Sequence, residues 1–171
     1  DAVDSETVRA LLDAAIHAPT AMHEEPWSFV VIQDKNLLDK LSESAKQHLR
    51  AEYKDSKASN AEHMLDFAND PQFRLFYNAG TLVVLCSKNQ GPMGIADTWL
   101  AAENLMLAAY AKGLGSCVIG LAIGALNAPE WKEKLGIPPG TAAIAPIIVG
   151  VPKKEAPVSP RKPPEIIAWK K

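Results

Sequence analysis

Very little in this chain advertises a reaction. Only 2 of its 171 residues are cysteine, too few for a disulfide-stapled scaffold or a cysteine-rich zinc module. Both, Cys86 and Cys117, sit in apolar stretches, so the expectation is a pair of reduced core thiols in a cytoplasmic protein. The 4 histidines, His17, His23, His48 and His63, show no HExxH or comparable ligand spacing. No metal site is expected, and the one dense cluster, His23-Glu24-Glu25, reads as a solvated corner. There is no GxSxG elbow and no GxxxxGK[ST] phosphate loop. The formal net charge of −2 lacks the basic excess of a nucleic-acid footprint. No apolar run reaches the ~18 residues of a membrane span, and no signal peptide is read at the start. Neither nucleic acid nor membrane is an expected partner.

What is present is a series of apolar segments separated by stiff punctuation. Hydrophobic residues make up 47% and charged residues 22%, the balance of a globular chain, and the length favours one domain, 1–171. Asp4-Ser5 offers an N-cap for a helix with Val8, Leu11, Leu12, Ala15 and Ile16 on one face, ended by Pro19. Trp27 to Ile32 reads as a strand. Asp34 caps a second helix carrying Leu37, Leu38, Leu41, Ala45 and Leu49. Residues 50–70 read as a polar, mobile connection with some helix. Thr81 to Ser87 is a strand buried on both faces. Asp97 to Lys112 is a helix apolar nearly all round, suited to the middle of the protein or a subunit interface. Ser116 to Ile119 and Ala142 to Val151 read as strands, the latter edged or bulged by Pro146. Pro129 to Leu135 is a short helix. The proline-rich tail 152–171 reads as an extended arm lying across another surface. Helices alternating with short strands give an α+β or α/β sandwich, a small sheet flanked by helices.

Three stretches invite a ligand. The ten residues APTAMHEEPW, 18–27, are more than a helix-to-strand turn needs. They either cap a helix unusually or present backbone and side chains to a ligand. Residues 113–120, GLGSCVIG, are not a dinucleotide fingerprint, because Val118 stands where GxGxxG requires glycine and the segment follows a helix rather than a strand. Two readings stay open there: a helix C-cap with Gly113 left-handed, or a loop whose backbone approaches a flat ligand. In the tail, Arg161 and Lys162 among prolines are either a solvated linker or a phosphate clamp. Cys117 has no nearby base and reads as a buried structural thiol.

Taken in order, these stretches resemble the nitroreductase family. APTAMHEEPWSFVVI is similar to its "aPSaxNxQPWxFvvv" signature, FYNAGTLVV to "f.nAPvvivv", AAYAKGLGSCVIG to "aAxxxGLGscwig", and IAPIIVGVPKKEAPVSPRKPPEIIAW to its "pvaiialGyp…prkpleeiv" close. The resemblance implies a three-layer α/β/α sandwich with a small mixed or antiparallel sheet. It implies a homodimer binding FMN at its interface, and two electrons passed from NADH or NADPH to a nitroaromatic, quinone or similar acceptor in a ping-pong cycle. With the flavin carrying the chemistry, no catalytic side chain is needed. Pro19, Thr20, Ala21 and His23 of one subunit would lie against the flavin. Val118, Ile119 and Gly120 of the other would offer backbone groups to it, and Arg161 and Lys162 would hold its phosphate. The chain departs from the pattern in three places. An Arg-Arg-Ser-x-Arg stretch that usually precedes the first helix is expected upstream of residue 1. His23 replaces asparagine, and Glu25 replaces glutamine, a negative charge in place of an amide. Those departures keep an alternative in view: a degenerate dimeric member that holds flavin weakly and serves as a ligand-binding or interaction protein.

Overall fold

A computed structural model of the chain describes residues 2–154 and 157–171. Asp1, and Glu155 and Ala156 within the arm, lie outside the described residues. The first helix, α1 (Ser5–Ile16), starts where Asp4 accepts the Thr7 N–H at 2.8 Å, one of the four donors a helix start leaves without a partner. Asp34 does the same for Leu37 at 2.9 Å, opening α2 (Lys35–Tyr53). The stretch expected to be a mobile connection is instead the end of α2, a loop, and a further helix α3 (Ala61–Asn69). Helix α4 (Pro92–Ala111) begins five residues before the expected Asp97, with Pro92 in the first turn, where its missing N–H costs nothing. It ends on Gly113 at φ +72°, with Leu114 N–H returning to Ala109 O at 2.9 Å, so the C-cap reading of that glycine holds. Short helices α5 (Ile123–Leu126) and α6 (Pro129–Leu135) complete the set among the described residues.

The strands are β1 (Trp27–Ile32), β2 (Thr81–Ser87), β3 (Gly115–Val118) and β4 (Ala142–Gly150), in sheet order β1-β2-β4-β3. All three pairings are antiparallel. All seven residues of β2 are buried, because alternate side chains feed two separate cores. Leu82, Val84 and Cys86 enter one with Leu38, Leu41 and Ala45 of α2 and Leu126 and Trp131 of α5 and α6. Val83 and Leu85 enter the other with Leu11 and Ala15 of α1 and Ala101, Leu105 and Ala109 of α4. The result is helices, sheet, helices: a three-layer sandwich.

Pro146 lies in β4, a central strand rather than an edge one. The register slips beside it, Leu85 facing Ala145 while Cys86 faces Ala143, which is a bulge at Ile144. Pro146 O accepts the Ile119 N–H at 2.8 Å. In an antiparallel ladder a residue's N–H and C=O face the same neighbour, so the donor that proline lacks faces Ile119, just past the end of β3. Among the described residues, the arm after β4 forms no helix or strand and is exposed throughout.

Candidate cofactor site

The 18–27 corner is held from below. Asp97, in the second turn of α4, is 5% exposed. Its Oδ2 accepts the Thr20 hydroxyl at 3.0 Å and the Ala21 N–H at 2.9 Å. Thr20 Oγ1 in turn accepts the Glu25 N–H at 3.1 Å, closing the corner around the turn Ala21–His23. The backbone inside is unusual: Met22, His23 and Glu25 have φ of 54°, 56° and 44°. Left-handed residues with a Cβ cost roughly 1–2 kcal/mol each. Two hydrogen bonds to a charged acceptor contribute ~1.5–3 kcal/mol each, which is the right size to hold that geometry. The effect is to turn the polar groups of Thr20 and Ala21 inward and to leave Pro19, Met22, His23, Glu24 and Glu25 exposed. Glu24 accepts the Asn89 amide at 2.7 Å.

The second expected contributor, Val118-Ile119-Gly120, lies at the opposite side of the sheet. The corner feeds β1, one edge strand, and residues 118–120 end β3, the other. Three strand spacings separate those edges, about 14 Å, so one copy does not bring the two groups together. Ile119 points its backbone to β4 and its side chain into the core. By the alternation of the ladder, the backbone N–H and C=O of Ser116 and Val118 face the open edge. A Cβ built on Gly120 would meet nothing within 4 Å, so the space beside that edge is clear. Cys117 is exposed on the same strand, not buried as its apolar neighbours suggested. Arg161 and Lys162 are exposed on the arm and form no ion pair among the described residues.

A sequence model of the Nitroreductase family matches residues 1–151. The chain belongs to the nitroreductase family. A relative from Archaeoglobus fulgidus, provisionally named an NADH dehydrogenase/NAD(P)H nitroreductase, is 30% identical over 158 residues, 90% of this chain and 76% of the relative. The iodotyrosine deiodinase of Thermotoga neapolitana is 26% identical over 153 residues, 88% of this chain and 78% of that protein. The crystal structure of a Bacteroides fragilis nitroreductase with bound FMN superposes with a TM-score of 0.80 at 24% identity, covering 95% of this chain and 84% of that one. That likeness establishes the nitroreductase fold expected from the motifs.

One residue of the corner escaped the sequence reading. Asp97 read only as the first residue of a helix, yet it sits inside α4 and anchors Thr20 and Ala21 from 77 and 76 residues away. A buried aspartate on an otherwise apolar helix face was the available signal, since such a group has to find hydrogen-bond partners.

Proposed function

We propose that this chain is an FMN-dependent oxidoreductase that works as a homodimer. It would pass two electrons from NADH or NADPH to a nitroaromatic, quinone or similar acceptor in a ping-pong cycle, in the cytoplasm. The observation that carries the reading is the division of the site. The strained corner and the open β3 edge are at opposite sides of one copy, so a second copy is required to bring one of each against a shared flat ligand. The outer face of α4 supports it, with Trp99, Leu100, Leu107 and Tyr110 exposed, as does the arm, whose Ile166, Ile167 and Trp169 are exposed as well. Apolar groups of that size gain by being covered.

The residues present fit a flavin. The outward-facing backbone groups at Val118, whose carbonyl accepts the Cys117 thiol at 3.6 Å, suit the hydrogen-bonding edge of its ring, and Gly120 leaves room for the ring to approach. When bound, FMN would supply the electron transfer itself. The protein's part is to hold the ring between the corner and the β3 edge, and to exclude water there. Arg161 and Lys162 would reach the phosphate of a flavin on the other copy. The exposed carboxylate of Glu25 favours the alternative, a family member that holds flavin weakly and binds another ligand. Titration with FMN and an NAD(P)H oxidation assay with a quinone or nitroaromatic separate the two. Flavin binding with acceptor-stimulated oxidation supports the enzyme. A colourless protein that leaves added FMN unchanged supports the alternative. Arg161→Ala is expected to weaken FMN binding without unfolding the dimer.

A further inference from the structure

A separate cavity lies at the far end of the sheet from the corner, where Thr81 begins β2. It is some six residues along the strand from Ser87, about 20 Å. It encloses ≈ 300 Å³ between the first two turns of α2 and the 74–80 turn. Leu38, Leu75 and Phe76 give it an apolar floor, continuous with the core beneath α2.

Some of its polar side chains are satisfied by neighbours, and others have no partner among the described residues. Ser42 is 7% exposed and lines the cavity, yet its hydroxyl forms no hydrogen bond with a described residue. No fully buried side-chain polar atom among the described residues lacks a partner, so the hydroxyl keeps contact with solvent on a residue that lines the cavity. Lys35 is neutralised by Asp39 at 3.3 Å. Gln33 is spent on Val3 O and the Thr81 hydroxyl, at 2.6 and 2.9 Å. Arg74, also on the lining, is exposed, and its guanidinium has no ion-pair or hydrogen-bond partner among the described residues. Among the described residues, one guanidinium fork on the lining is therefore left without an ionic partner, beside an apolar floor. The turn that carries it is held in an uncommon form, Tyr77 and Asn78 having φ of 50° and 58°.

We propose that this cavity binds a small monocarboxylate with an apolar body. The carboxylate pairs with the planar fork of Arg74, which matches its two oxygens. The Ser42 hydroxyl gains the partner it lacks, and the hydrocarbon part covers Leu38, Leu75 and Phe76. A single lining cation without an ion pair among the described residues suits a single negative charge. A phosphate dianion would face Asp39 and leave the floor bare. The volume is at the small end for ligand sites, so a ring or a short branched chain is the size that fits.

The test is a titration of the FMN-supplemented protein with benzoate, followed residue by residue through backbone amide NMR shifts, with inorganic phosphate as the comparison. Saturable shifts in residues 33–42 and 74–80 are expected. Arg74→Ala should weaken binding by about tenfold or more, and Arg74→Lys should recover part of it. Ser42→Ala should weaken it several-fold. The Arg74 side chain bonds to no described residue, and its carbonyl, which accepts the Tyr77 N–H at 2.8 Å, is kept in any variant, so its variants should melt like the parent. No saturable shift in those residues, an unchanged affinity in Arg74→Ala, or phosphate binding as tightly as benzoate would overturn the proposal. Shifts confined to 18–27 and 118–120 would also overturn it, by assigning benzoate to the cofactor site.

Discussion

Replacing Asp97 should loosen the corner by an amount that can be worked out in advance. Asp97→Ala removes the acceptor of both the Thr20 hydroxyl and the Ala21 N–H. Each bond to the charged oxygen contributes ~1.5–3 kcal/mol, and the buried carboxylate's desolvation cost is returned when it goes. The net loss should be about 2–4 kcal/mol. For a chain of this size each kcal/mol lowers the melting temperature by ~2–4 °C, so the variant should melt roughly 5–15 °C below the parent. Asp97→Asn keeps an oxygen in place without the charge and should lose about half as much. Thr20→Val removes one of the two bonds, and with it the acceptor of the Glu25 N–H. Together with Asp97→Ala it forms a double-mutant cycle whose coupling should be about 1–2 kcal/mol. The assay is urea unfolding at fixed protein concentration, since dimerisation would make stability concentration-dependent. FMN affinity should fall in the same order as stability. An Asp97→Ala variant within ~0.5 kcal/mol of the parent, or a coupling near zero, would refute the idea that this aspartate holds the strained corner.

Three further outcomes are expected. Burial pushes the Cys86 thiol up to about 11, with Lys132 opposing slightly, so Cys86 should escape alkylation at pH 8 in the folded protein and react once unfolded, as read by mass spectrometry. Lys46 is 2% exposed, donates to Asp70 O at 3.0 Å and lies 3.5 Å from Glu43, while Arg50 donates to Asn69 Oδ1 at 3.1 Å and to Ala68 O. These α2 cations supply the charge that the last turn of α3 lacks. Lys46→Ala should therefore cost about 2–3 kcal/mol and raise amide exchange across residues 61–70. The Thr7 N–H holds the Asp4 carboxyl below its usual value. The stability it adds is present above the ordinary carboxylate range and lost as pH falls through the lowered folded value. The stability gap between the parent and Asp4→Asn should thus close on acidification, as followed by unfolding at stepped pH.

Much of the fold could be read from caps and periodicity, because those signals are local. Asp4 and Asp34 sit where their side chains meet the third residue on. Gly113 has the left-handed φ that its place after a helix predicted, and an apolar run as short as β2 has room only for a strand buried on both faces. The failures were contacts made at a distance. Pro92-Met93-Gly94 looks like a loop, but it is the first turn of α4, and glycine stands at 94 because a Cβ there would come within 2.3 Å of Asn89 O. Cys117 has apolar neighbours, yet β3 is an edge strand and presents it outward. Lys46 falls on the buried stripe of α2, and its partner carbonyl comes from a loop 24 residues away. For the site, the motifs located the corner and the 118–120 segment. They could not show that Thr20 and Ala21 face inward, since that follows from Asp97 in a distant helix.

The central claim is that the flavin site exists only between two copies. The most direct test compares FMN titrations of the parent and Leu107→Glu, with sedimentation equilibrium on the same samples. Leu107 is 57% exposed on the outer face of α4, so the change should leave one copy folded while placing a charge in the proposed dimer contact. The account predicts a parent dimer that binds FMN, and a folded Leu107→Glu monomer whose affinity has collapsed. A folded monomer that binds FMN as tightly as the parent dimer would contradict it.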